Sequence, residues 1–256
     1  MNPEVLLSRI RVVLCRPSHP GNIGAVARAM KTMGLSDLYL VSPRQFPDPE
    51  ADTRATGAVD LLQRATVCDS LKTALAETSF AVAMSARLRD LGPAIGQPRE
   101  VVGRLLAEAA HGRVAMVFGN ETMGLSNEEV MHCQAAVCIP TNPEFSSLNL
   151  GAAVQVLCYE CRMAAYETQP PVGGHLATPA ASPRATHEEI EGLYSHLQAL
   201  MTDTGFFNPE QPGRLLPKLR RLFGRVGLER DEVNILRGIL SSTQTHTGHG
   251  RKGGLS

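Results

Sequence analysis

The sequence predicts an α/β fold: a mostly parallel sheet with helices on both faces, followed by a small all-helical appendage. Three observations carry this expectation. Short apolar runs alternate with helical stretches through the first 166 residues. Those runs are four to six residues long and, Arg11 aside, apolar, the pattern of strands buried on both faces of a parallel sheet. Beyond about residue 187 no such run remains, and the apolar spacing becomes helical.

Ile10 to Cys15 (IRVVLC) is the first strand. A Pro/Gly break follows, then a helix from about Asn22 to Met33. Leu38 to Val41, Phe80 to Met84, Val114 to Phe118 and Ala135 to Ile139 repeat the strand pattern. Helices are expected near 56–64, 70–78 and 98–110, with a longer one from Leu148 to about Tyr166. Residues 168–186 hold four Pro and two Gly with few bulky apolar side chains, a linker composition. Three helices are expected after it, near 187–203, 212–224 and 230–242, the third opened by Asp231. The chain thus divides into a domain over 1–167, a linker over 168–186, a helical extension over 187–242 and a disordered tail over 243–256.

Composition narrows the function. An apolar share of 43% excludes a wholly disordered chain, and no apolar run reaches the ~18 residues that span a bilayer. The N-terminus MNPEVLLSRIRVVLC lacks the layout of an export signal, so a cytoplasmic protein is expected. Its six cysteines are then reduced thiols. Cys158-x-x-Cys161 lies inside a helical stretch with no second pair at zinc spacing, and His132, Cys133 and Cys138 form no better set, so no metal site is expected. Lys+Arg and Asp+Glu are 25 each, so a nucleic-acid partner requires a local basic patch.

Three segments carry residues poorly explained by folding alone. In SHPGNIGAVARAM (18–30), Asn22 suits a helix N-cap, and Arg28 lies near its face two turns on. In VFGNETMGLSNEEV (117–130), Gly119 permits an abrupt turn at a strand end. Glu121 follows at the carboxyl edge of the sheet, where open α/β sheets bind ligands. Ser126 with Glu129 fits a capping box there. In IPTNPEFSSLNLGAAVQVLCYE (139–160), Ser146, Ser147 and Asn149 precede a small-residue helix whose start suits an electron-rich ligand. Taken singly, the first also fits a packed helix with a solvated arginine, and the third plain N-capping by the serines.

Together these segments resemble the SPOUT-class RNA methyltransferases, most closely the TrmJ-type tRNA ribose 2′-O-methyltransferases. KLRRLF (218–223) and DEVNILRGIL (231–240) extend the likeness over nearly the whole chain. The resemblance implies a deep trefoil knot, S-adenosyl-L-methionine as methyl donor, and a homodimer whose active sites are shared between chains. It implies a tRNA substrate methylated on a pyrimidine at position 32 of the anticodon loop. Carried over by motif, the donor-binding positions are Met84, Ser85, Ala86, Gly119, Ile139, Ser146, Ser147 and Leu148. The catalytic positions are Asn22, Arg28, Glu121, Ser147 and Asn149. Three departures stand out: Asn120 where the TrmJ-type loop usually has Arg, Arg16-Pro17 before Ser18, and Met84 where Thr is common.

A guanidinium stays protonated in proteins, so Arg28 is expected to stabilise the developing alkoxide, or hold the adjacent phosphate, rather than act as a base. From Gly213 to Arg237 seven Lys/Arg face three Asp/Glu. Arg214, Lys218, Arg220, Arg221 and Arg225 in that stretch are therefore candidate tRNA contacts, with Arg28 and with Arg54 in the loop after the second strand. The same cluster also fits a solvated helix face. Two other readings compete: a related enzyme acting on the wobble nucleotide or ribosomal RNA, and a knotted RNA-binding module without catalysis.

Overall fold

The computed structural model describes residues 2–85, 92–167 and 182–250. In order, the elements are α1 (Pro3–Ser8), β1 (Ile10–Cys15), α2 (Pro20–Met33), β2 (Asp37–Val41), α3 (Pro49–Ala55), α4 (Val59–Arg64) and β3 (Thr66–Cys68). There follow α5 (Leu71–Leu75), β4 (Thr78–Met84), β5 (Ile95–Gly96), α6 (Pro98–Ala109), β6 (Arg113–Phe118), α7 (Asn127–Met131), β7 (Ala135–Val137) and α8 (Leu150–Tyr166). The extension is α9 (His187–Asp203), α10 (Leu215–Val226) and α11 (Arg230–Gly250).

The strands form one seven-stranded sheet in the order β3-β2-β1-β6-β4-β7-β5, parallel at every pairing. Every residue of β1 is buried, because its alternate side chains enter two different cores. Ile10, Val12 and Leu14 face a core built with α2, α6 and α8, while Val13 and Cys15 face one built with α5 and α7. This two-sided burial is why the strands read as unbroken apolar runs. On the first face α2 lies tight against α3: a Cβ at Gly24 would come within 2.1 Å of the Ala51 carbonyl oxygen, so only glycine fits. The extension docks on the second face, where the Glu188 N–H donates to the Ala76 carbonyl. Leu193, Leu228, Val233 and Ala185 make a small core of its own.

Several expectations need correction. Helix α2 starts at Pro20 with His19 as its cap, whose ring Nδ1 accepts from the Gly21 N–H, so Asn22 sits in the first turn and its amide is free for other work. Arg54 is in α3, not in a loop; Asp48 caps that helix and Pro49 fits its first position. The helix expected over 70–78 is only Leu71–Leu75, since β4 begins at Thr78. β7 ends at Val137 instead of Ile139. The last helix continues to Gly250 because nothing in 241–250 breaks it, and Thr243 donates back to the Ile239 carbonyl, so the boundary drawn at 242 falls inside a helix. Most of the linker, 168–181, lies outside the described residues.

Candidate active site

The site begins where β6 ends. After Phe118 the chain doubles back so sharply that a Cβ at Gly119 would lie 2.1 Å from the Gly124 carbonyl carbon. Asn120 holds this hairpin: its Oδ1 accepts from the N–H groups of Thr122 and Met123, and its Nδ2 donates 2.8 Å to the Arg16 carbonyl. Ser126 and Glu129 form the expected capping box for α7. Glu129 also pairs with the Arg16 guanidinium through both oxygens, which holds Arg16 at a positive φ of 50°. The Arg16 departure therefore braces the loop after β1 against α7.

Glu121 is the hub. Its Oε2 accepts from Ser18 N at 2.9 Å and Ser18 Oγ at 2.7 Å; its Oε1 accepts from His19 N at 3.2 Å and Asn22 Nδ2 at 2.9 Å. Partial burial pushes this carboxyl up, but the hydrogen bonds from Asn22 and Ser18 outweigh it and hold the pKa down at about 2. Asn22 Oδ1 in turn accepts from Asn149 Nδ2 at 2.9 Å, and Asn149 Oδ1 caps α8 by accepting from the Gly151 N–H. Three of the five carried-over catalytic positions thus form one relay, Asn149 to Asn22 to Glu121. A carboxylate that accepts four bonds at so low a pKa is a clamp between loops and a poor base.

Beside the relay lies a cavity of about 330 Å³ at the carboxyl ends of β4, β6 and β7. Met84, Ser85, Gly119, Ile139, Ser146, Ser147 and Leu148 all line it. Ala86 lies outside the described residues. The volume suits a small-molecule ligand, and the lining pairs apolar Phe118, Ile139, Leu148 and Leu150 with backbone and hydroxyl groups of 119–124 and 146–147. An amphipathic ligand with an aromatic ring and polar ends fits that donor set. Sequence reasoning missed Ser18, although it opens the flagged SHPGNIGAVARAM stretch; only the fold brings it to Glu121.

Arg28 does not line that cavity. It is exposed, and its guanidinium has no hydrogen bond or ion pair among the described residues. With Arg54 and Asn149 it lines a second, shallow cavity of about 480 Å³. The two hollows adjoin along one segment, since Leu148 and Leu150 face the first while Asn149 and Gly151 face the second. In the extension, Arg214, Lys218, Arg221 and Arg225 are exposed. Arg220 is a correction: it is largely buried, grips both oxygens of Glu191 and stacks 4.6 Å over the Tyr194 ring, so its charge is already neutralised. Burial pushes the Cys158 thiol up to about 12, which leaves no thiolate at that pair.

A parallel sheet with a small-molecule cavity at the carboxyl ends of its central strands, clamped by a polar relay from three loops, defines an α/β ligand-binding enzyme with a helical extension that carries a basic stretch over 213–237. A family model described as "SpoU rRNA Methylase family" matches residues 9–159, and one described as "tRNA methyltransferase TrmJ, C-terminal domain" matches residues 188–252. The chain belongs to the SpoU methylase family, in its TrmJ-type branch. It is 48% identical over 244 residues to the tRNA (cytidine/uridine/adenosine-2′-O-)-methyltransferase TrmJ of Pseudomonas aeruginosa, covering 93% of this chain and 95% of that one. It is 46% identical over 243 residues to the tRNA (cytidine/uridine-2′-O-)-methyltransferase TrmJ of Cronobacter sakazakii, covering 94% and 98%. The crystal structure of TrmJ from Z. mobilis superposes with a TM-score of 0.79 at 32% identity, over 91% of this chain and 98% of that one.

Proposed function

We propose that this chain transfers the methyl group of S-adenosyl-L-methionine to the ribose 2′-hydroxyl of a cytidine or uridine at position 32 of the tRNA anticodon loop. Membership of a methylase family supports methyl transfer, and relatives named as tRNA 2′-O-methyltransferases over more than nine-tenths of the chain support the substrate. Position 32 comes from the TrmJ-type resemblance. The observation that carries the reading is the Asn149–Asn22–Glu121 relay beside a cavity of suitable size, built from the three segments that the sequence singled out.

The bound donor supplies a methyl group already activated on a sulfonium. The protein must bring the hydroxyl in line and stabilise the charge that develops on its oxygen. The relay fixes the loops after β1 and β6, and the cap of α8, in one geometry. Phe118, Ile139 and Leu148 exclude water from the donor side. Ser147, exposed on the rim, is placed to hold a polar group of either ligand. Arg28 keeps its charge and stabilises the forming alkoxide. Because Arg28 stands outside its own chain's cavity, we place it in the partner's site of a homodimer, with the active sites completed by both chains. In this reading the C-terminal part of the sheet domain forms the trefoil knot, and a cytoplasmic tRNA docks on Arg214, Lys218, Arg221 and Arg225, with Arg54 beside Arg28.

The test is mass spectrometry of nuclease-digested tRNA after incubation with the purified protein and isotope-labelled donor. The expected product is a labelled 2′-O-methylpyrimidine at position 32. Label at the wobble position, or label only in ribosomal RNA, overturns the assignment. No label together with no donor binding by calorimetry leaves an RNA-binding module.

A further inference from the structure

The junction between the sheet domain and the extension holds a second cluster of chemistry-bearing groups. His132 ends α7 as its C-cap. His187 opens α9, and Glu191 lies one turn on, on the same face. The two histidines are far apart in sequence, so no motif spacing announces them. The fold points His132 Nδ1 and His187 Nε2 at one oxygen: Glu191 Oε1 lies 3.7 Å from the first and 3.9 Å from the second. All three donor atoms lie within 4.8 Å of one another.

Both ring nitrogens are fully buried and, among the described residues, neither has a hydrogen-bond partner. The His187 side chain is 4% exposed, Glu191 8% and His132 15%. Buried polar atoms of native proteins are nearly always satisfied, so two orphans converging on one carboxylate oxygen require an explanation. Their distances are too long for hydrogen bonds. They approach the ~3.3 Å that separates two ligands on a tetrahedral ion with bonds of about 2.0 Å. The ring centroids are 5.3 Å apart and the rings are tilted by 56°, so they do not stack face to face.

We propose that His132, His187 and Glu191 bind a divalent transition-metal ion of the zinc type, which staples the extension to the sheet domain. Two imidazoles and one carboxylate select such an ion over magnesium or calcium, which prefer all-oxygen shells. Arg220 is the outer partner that fixes the carboxylate: it holds both oxygens and leaves a lone pair of Oε1 toward the histidines. A fourth ligand comes from solvent on the less buried His132 side. The Arg220 and Lys72 cations near the cluster oppose a dication, so affinity falls short of that of a three-histidine site. None of the three residues lines the donor cavity, so this site stands or falls independently of the proposed reaction.

The experiment is titration of full-length, tag-free, chelator-stripped protein with Co²⁺, followed by visible absorption, with Zn²⁺ as competitor. About one Co²⁺ per chain is expected, displaced by Zn²⁺, with the ligand-field bands of a four-coordinate nitrogen/oxygen site. His132→Ala and His187→Ala should each weaken binding about ten-fold or more. Zn²⁺ should raise the thermal midpoint of the wild type but not of either variant. If an alanine variant does not fold, as judged by circular dichroism, His132→Asn and His187→Asn serve in its place. Absence of stoichiometric Co²⁺ uptake at about 100 µM free ion overturns the proposal, as does binding that survives both substitutions.

Discussion

Replacing Glu121 by Gln removes the charge at the hub of the relay while keeping its size. The carboxylate accepts four hydrogen bonds, two on each oxygen. A Gln amide nitrogen at the Oε2 position faces the Ser18 N–H, a donor against a donor, while Ser18 Oγ can rotate and accept. One bond is lost with its donor stranded, and the two on Oε1 weaken from charge-assisted to neutral. Charge-assisted bonds are worth about 1.5–3 kcal/mol and neutral ones about half that. The low end applies because the site is partly solvated, so the loss is about 3 kcal/mol. If the clamped geometry is used in the transition state, kcat/KM falls about 100-fold. The thermal midpoint falls by about 6–12 °C, at about 2–4 °C per kcal/mol for a chain of this size. The sign of the pH effect is fixed too. The folded pKa lies below the ordinary 4.5, so Glu121 contributes its stability above about pH 4.5 and loses it as pH falls toward about 2. Acid unfolding of the wild type should show that loss, and the Gln variant should not. Single-turnover assays and acid titration test both arms. Turnover within a few-fold of wild type, with an unchanged acid profile, refutes the clamp.

Arg28→Ala should keep donor affinity by calorimetry yet lose most of the single-turnover rate; a rate within a few-fold of wild type removes Arg28 from the chemistry. Gly119→Ala forces a Cβ into the Gly124 backbone, so donor binding should be abolished while the far-ultraviolet circular dichroism stays near native. Arg220→Ala strands the buried Glu191 carboxylate at a cost of about 3–5 kcal/mol, and limited proteolysis should then cut within 182–187 faster than in the wild type. Arg225→Ala should weaken tRNA binding uniformly across sequences and lower the magnitude of the log–log salt slope by about 1.

What was legible in the sequence follows from local physics. β1, β4 and β6 declare themselves because both faces are buried and each carries an unbroken apolar run, over 12–15, 80–84 and 114–118. β3 escapes because Thr66 and Val67 are exposed at the sheet edge, and β5 because it is two residues long. The helix Pro49–Ala55 was hidden among prolines, although Asp48, Pro49 and Glu50 spell its start. The donor-cavity residues were readable through motif likeness; their joint lining of one hollow was not, since it depends on three loops meeting. In the sequence Arg16 is a departure from the family pattern and Arg220 a candidate tRNA contact; only tertiary partners 113 and 29 residues away in sequence show that each is committed to a carboxylate. The pairing of Asn22 with Asn149 is likewise a property of the sheet order alone.

That pairing joins residues 127 positions apart in the chain. Synthesis on the ribosome runs from the amino end, so β1, α2 and the Glu121 loop emerge long before the residue that caps α8. Until Asn149 has left the exit tunnel the relay lacks its last member, and a nascent or prematurely terminated chain carries a sheet with an unfinished pocket.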